Sequence, residues 1–190
     1  KGSNRNTTEE AVSVMAKYAY NTLLNRNYDS ETIYLLSHQP DLDVNTVDAP
    51  VTGHEFRQGI PPRDITVSDI DKAFSWAKEK GTLDYPLVVI FVDHGEPNEL
   101  ILSNTERLTA QEFKTILDDY QNATNNQIVV ILEACHSGTL VSTLADKNRI
   151  IISSTDEKDA YYDDLGDIAF LNLYMDQLRR EESFGHAWEI

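Results

Sequence analysis

The sequence predicts an α/β fold, a three-layer α/β/α sandwich with a mainly parallel sheet. Three observations carry that expectation. Apolar residues alternate between helical and strand periods along the chain. Two uninterrupted apolar runs, Leu87-Val88-Val89-Ile90-Phe91-Val92 and Ile128-Val129-Val130-Ile131-Leu132, read as central strands covered on both faces. A helix-capable segment separates them, which implies parallel neighbours joined by right-handed crossovers. Such sheets gather their chemistry where strands end, at the carboxyl edge.

The elements follow in order. A first helix is predicted from about Glu9 to Leu24, with Thr7 and Glu10 in capping-box spacing and Ala11, Val14, Met15, Tyr18 and Thr22 on one face. Asn25 to Ser30 reads as a turn and Thr32 to Leu36 as a short strand. From His38 to Arg63 the chain is loop-like, with Pro40, Pro50, Pro61 and Pro62, and a loop this long is usually functional or an insertion. A second helix starts near Ser68, with Asp71 three residues on, turns Ile70, Ala73, Phe74 and Ala77 inward, and stops at Gly81. Glu99 to Ser103 reads as a small strand. Thr109 and Glu112 form a capping box for a helix burying Phe113, Ile116 and Leu117. Arg149 to Ser153 makes a third strand beside the two apolar runs, and a last helix falls within Ile168 to Arg180.

Bulk properties narrow the function. The 190 residues suit a single domain over 1–190, and 41% hydrophobic content marks a globular chain. The opening Lys1-Gly2-Ser3-Asn4 reads as the middle of a loop, so a piece of a longer chain is expected. No run approaches the roughly 18 apolar residues that span a bilayer. A net charge of −16 repels phosphate backbones and argues against nucleic acid as a partner; it reads as a solvated acidic surface, with basic substrates as the alternative. The single cysteine excludes an internal disulfide and a multi-cysteine zinc site.

Two strand ends carry the chemistry. The first run ends in Val92-Asp93-His94-Gly95, the second in Glu133-Ala134-Cys135-His136-Ser137-Gly138. Parallel neighbours bring both ends to one edge, so His94 and Cys135 are expected to face each other there. A core cysteine is usually an inert small hydrophobe. A cysteine at a strand-to-helix turn is different, because nearby amides and an imidazolium favour its thiolate. The backbone N–H groups of Cys135 and Gly95 are candidate oxyanion donors. His136 is expected to point away from Cys135. His38, His54 and His186 read as surface residues, with no metal-ligand spacing on a predicted element.

These blocks resemble the legumain family of caspase-like cysteine peptidases, in a compact bacterial-type form. Asp93-His94-Gly95 is similar to the family's Asp-His-Gly block, and Glu133-Ala134-Cys135 with Ser137-Gly138 to its Glu-Ala-Cys-x-Ser-Gly block. Gly2-Ser3-Asn4 resembles the loop after its first strand, and Tyr161-Tyr162-Asp163 a segment that closes its specificity pocket. Metacaspases are the nearest rival; Asp93 and Glu133 favour legumain.

The resemblance implies a caspase/legumain-like fold and a Cys-His dyad acting through a thioester acyl-enzyme on a protein or peptide substrate, with no cofactor. Cys135 would be the nucleophile and His94 the general acid–base. It also implies a primary pocket with Glu133 and Asp163 as acidic groups, Ser153 and Ser154 on its wall and Asp93 nearby. The family's arginine has only Arg5 close to its expected place. Such a pocket would accept asparagine, lysine or arginine before the scissile bond. Asp41, Asp43 and Asn45 have the oxygen-ligand spacing of a calcium loop, although Thr46 replaces the expected glycine and a plain polar turn fits them better. Two further functions use the same sequence: a transamidase or peptide ligase with this dyad, and a catalytically silent binding domain.

Overall fold

Why the apolar run at 128–132 lies at the centre is clear from its neighbours. In the computed structural model, which describes residues 5–29, 31–37, 65–81, 83–161, 169–180, 183–184 and 187, strand β5 (Ile128–Glu133) is buried at every position. It pairs in parallel with β1 (Leu87–Val92) on one side and β6 (Arg149–Ser153) on the other. A strand enclosed on both edges and both faces favours apolar side chains, hence the unbroken run from Ile128 to Leu132, with Glu133 at its end. β1 has the same composition but is only half buried, because among the described strands it has one neighbour rather than two.

These strands belong to a unit spanning residues 63–160. Helix α2 (Val67–Lys80) leads into β1. Its cap is Thr66 rather than Ser68: the Asp69 carboxylate accepts from the Thr66 amide at 3.0 Å and its hydroxyl at 2.8 Å. Both spacings satisfy the capping-box pattern, and the earlier one wins. Gly81 ends the helix without a left-handed turn. Any Cβ there would lie 2.8 Å from the Tyr120 hydroxyl and 2.9 Å from the Ala77 carbonyl, so close approach explains this glycine.

After β1 the chain makes a small antiparallel sheet of β2 (Gly95–Glu96), β3 (Glu99–Ile101) and β4 (Arg107–Thr109). Pro97 and Asn98 turn the first hairpin, Asn98 taking a positive φ of 66°. Helix α3 (Ala110–Thr124) starts at the predicted box, where the Thr109 hydroxyl accepts from the Glu112 amide and Glu112 reaches back to the Thr109 amide. Those bonds hold the exposed Glu112 carboxyl below its usual range. Phe113, Leu117 and Tyr120 of α3 bury against Phe74 and Ala77 of α2 and alternate residues of β5. Helix α4 (Gly138–Leu144) follows β5 and leads back to β6. The result is an α/β unit whose parallel three-stranded sheet is flanked by helices, as predicted.

One buried cation braces this unit. Arg149 opens β6 with its side chain 1% exposed, donates to Asp118 at 2.5 Å and to the Leu144 carbonyl at 3.1 Å, and bonds Gln121. Lys114 adds a second cation 2.7 Å from Asp118. Burial raises the Asp118 carboxyl, but the bonds from Lys114 and Arg149 outweigh it and hold the group below its ordinary value.

A second unit comprises residues 1–62 and 161–190. Helix α1 (Arg5–Asn25) packs Ala11, Met15 and Ala19, all buried, and helix α5 (Phe170–Arg179) buries Leu171, Tyr174, Met175 and Leu178. Tyr18 joins the helices, donating to Asp176 with the Arg179 guanidinium 5.2 Å above its ring. Burial and then the Asp176 bond raise its phenol. Helix α1 begins earlier than predicted, so the Thr7–Glu10 pattern falls inside it and does not mark its start.

The strand predicted at Thr32 to Leu36 does not form. Asp29 Oδ1 accepts from the amides of Glu31 and Thr32, at 3.0 and 2.9 Å, and commits Thr32 to a turn. Residues 33–37 are not part of a strand. The 38–63 loop lies outside the described residues, apart from its place in the sequence.

Candidate active site

Strand β5 stops at Glu133, and residues 134–137 make a tight turn before α4. The pleat ends there too, so period-two alternation does not carry from Glu133 to Cys135; the turn sets the cysteine's direction. The Ser137 amide bonds the Ala134 carbonyl at 3.3 Å, and the Thr139 amide bonds the His136 carbonyl at 3.0 Å. His136 sits at φ 57°, the left-handed region that non-glycine residues seldom occupy. Cys135 itself is partly exposed at the crest.

The stretch after β6 wraps this turn. The amides of His136 and Gly138 donate to the carbonyls of Lys158 and Asp156, at 2.8 and 3.0 Å. In return the Ala160 amide donates to Cys135 Sγ at 3.3 Å. A donor aimed at sulfur suits a negatively charged sulfur. Gly138 has to be glycine, since a Cβ would meet the Asp156 and Thr155 carbonyls at 2.6 and 2.7 Å. Within the wrap, Lys158 bonds the exposed Asp156 and holds that carboxyl below its usual range. The amide of Cys135 donates to no backbone carbonyl among the described residues.

At the neighbouring strand end, the Asp93 amide extends the β1–β5 ladder by bonding the Glu133 carbonyl at 3.2 Å. Asp93 Oδ1 accepts from the His94 amide at 2.8 Å. His94 is exposed, and its carbonyl accepts from Ile101 at 3.0 Å. That bond makes His94 and Ile101 a hydrogen-bonded pair, so the next pair, Gly95 and Leu100, is a non-bonded one. The Gly95 N–H therefore faces away from β3.

Gly95 also measures how near the two ends lie. A Cβ on it would stand 2.3 Å from the Cys135 carbonyl oxygen and 3.2 Å from Ala134 Cβ. Only a glycine permits this backbone-to-backbone approach. Thr139 adds a bridge: its hydroxyl donates to the His136 carbonyl at 2.7 Å and accepts from the Asn98 amide at 2.8 Å. The hairpin after His94 is thus tied to the turn that holds Cys135.

The other predicted residues divide in two. Glu133, 2% exposed, ends β5, and Ser153 ends β6 beside it. The Ser154 amide continues that pairing to the Leu132 carbonyl at 2.9 Å, while its buried hydroxyl has no hydrogen-bond partner among the described residues. Asp93, His94, Gly95, Glu133, Cys135, Ser153 and Ser154 therefore share one carboxyl edge. Asp163, the calcium candidates Asp41, Asp43 and Asn45, and the histidines His38, His54 and His186 lie outside the described residues, as does the side chain of Arg5. The His136 ring lies against the 155–160 wrap: its Nδ1 is 2.6 Å from the Glu157 carbonyl oxygen and its Nε2 3.5 Å from Asp159.

Sequence reasoning missed that wrap and Thr139. The wrap works through carbonyls and one amide, which any residue supplies; its only signal in the sequence is Gly138.

No helix among the described residues is long and apolar enough to cross a membrane. A search of curated proteins finds no match. Comparison with protein families finds the Peptidase C13 family over residues 9–181, which includes both strand ends and begins after Gly2-Ser3-Asn4. Membership implies a cysteine peptidase with a protein substrate. This chain belongs to the Peptidase C13 family, the legumain family of cysteine peptidases.

Proposed function

We propose that the chain is an endopeptidase in which Cys135 and His94 form the catalytic dyad. The supporting observation is the backbone approach of Gly95 to the Cys135 carbonyl, which requires the His-Gly and Cys blocks to meet at one sheet edge. Cys135 Sγ attacks the carbonyl carbon of the scissile peptide, with its proton passing to His94. The N–H groups of Cys135 and Gly95 receive the oxyanion, a role that fits two amides that donate to no backbone carbonyl among the described residues. His94 gives its proton to the leaving amine, and a thioester remains on Cys135. Water, deprotonated by His94, then adds to the thioester and releases the acid product and the thiol. No step calls for a metal or cofactor.

The residue before the scissile bond would enter between the ends of β5 and β6. Glu133, Ser153 and Ser154 would line it, with Asp93 at its margin; Asp163 and Arg5 are assigned to the pocket by the family resemblance alone. An acidic pocket favours a donor side chain: asparagine, lysine or arginine. Profiling with a fluorogenic peptide library, run beside a Cys135→Ala control, tests activity and pocket together. Cysteine-dependent cleavage after Asn, Lys or Arg is expected. Efficient cleavage after Asp at pH 7 would overturn the pocket, and cleavage by the control would overturn the nucleophile.

A further inference from the structure

His136 occupies an unusual place: next to the proposed nucleophile, in a left-handed conformation, with its ring turned into the loop that contacts the sulfur. Besides the ring's own contacts, the loop 155–160 meets the turn at three points. The Lys158 carbonyl takes the His136 amide at 2.8 Å, the Asp156 carbonyl takes the Gly138 amide at 3.0 Å, and the Ala160 amide reaches Cys135 Sγ at 3.3 Å. Between the Lys158 anchor and Ala160 the loop is exposed. Apart from the sulfur contact, the turn side chain that holds this loop is the imidazole, Nδ1 to the Glu157 carbonyl at 2.6 Å with Nε2 3.5 Å from the Asp159 carboxylate.

We propose that His136 is a positioning residue which clips loop 155–160 onto the nucleophile turn and so keeps the Ala160 amide on Cys135 Sγ. The inference rests on the peptidase reading above for its effect on turnover, but its geometry stands apart from it. An Nδ1–H donates to the Glu157 carbonyl whether or not Nε2 is also protonated. An amide fixed on the sulfur restricts it to one direction and supports negative charge there, which bears on the chemical step more than on substrate binding. The side chain never needs to touch substrate.

The test uses substitutions that tolerate positive φ, so that backbone strain is not what is read. H136G removes the ring. H136N places an amide N–H where Nδ1 lies, and the isosteric H136D places only acceptors there. With the fluorogenic peptide, kcat of H136G should fall roughly ten-fold, the effect of losing one well-formed hydrogen bond, while KM stays within about two-fold. H136N should keep kcat within about two-fold of the parent, and H136D should resemble H136G. Hydrogen exchange of the Ala160 amide should accelerate in H136G and H136D but not in H136N. Equal kcat in H136N and H136D, or unchanged exchange at Ala160 in H136G, would overturn the proposal. If H136G does not fold, the H136N and H136D pair decides. If the parent chain shows no Cys135-dependent turnover, the peptidase reading fails, and exchange at Ala160 still decides whether His136 holds the loop.

Discussion

The two strand ends that meet at the sheet edge are built in opposite ways. The Cys135 end is enclosed: β5 beneath it is buried throughout, its turn is closed by its own backbone bonds, and the 155–160 loop binds it from outside. The His94 end is open. β1 is half buried, His94 is exposed, and its imidazole makes no hydrogen bond with another described residue. Nucleophiles and acid–base groups face different demands. A sulfur that must meet a carbonyl carbon gains from being fixed, whereas an imidazole that exchanges protons with thiol, amine and water in turn has to stay accessible. Beyond the strand pairing itself, Gly95 and Thr139 tie the open end to the closed one.

If that contrast is right, damage at the open end should cost activity and leave the fold intact. His94→Asn is expected to lower kcat/KM by about 10²–10⁴-fold, the usual worth of a general acid–base, with an unchanged melting temperature. Steady-state kinetics beside thermal unfolding would show it. A drop of many degrees would mean the open end is structural after all.

The ties between the ends should behave differently. Gly95→Ala forces a Cβ against the Cys135 carbonyl, so both activity and stability should fall, the latter by about 1–3 kcal/mol. Thr139→Val keeps the shape but loses two hydrogen bonds, at about 1 kcal/mol each in urea unfolding, with a smaller loss of turnover. Should Gly95→Ala leave turnover at the parent level, the two ends do not need their close approach.

The smallest expected effect lies far from either end. Asp118 and Glu112 both have folded values below their unfolded ones, so each stabilises the fold fully above the ordinary carboxylate range. That contribution is lost as pH falls through the depressed values, below about pH 4. Acid unfolding of Asp118→Asn should accordingly be less steep than that of the parent chain between pH 4 and pH 2.

Much of this was legible from the chain alone, for physical reasons. β1, β5 and β6 announced themselves because strands inside a parallel sheet admit few residues other than apolar ones. The Thr109–Glu112 box was readable because both partners are side chains. The short hairpin strands β2 and β4 carry too few residues to show a period, and Thr32 to Leu36 looked like a strand because composition says nothing about whether a neighbour exists. The contacts that hold the Cys135 turn are mostly backbone to backbone. They leave no mark in the sequence beyond two glycines, at 95 and 138, which signal crowding without saying what crowds them.

The central claim is that Cys135 does the chemistry, and one measurement bears on it most directly. Because the chain holds a single cysteine, an acyloxymethyl-ketone peptide probe ending in asparagine or lysine can attach through sulfur at one place only. Intact-mass analysis should show one adduct per chain, formed in step with loss of peptide cleavage, and neither adduct nor cleavage in Cys135→Ala at an unchanged melting temperature. Cleavage that persists after complete labelling, or in Cys135→Ala, would contradict the account.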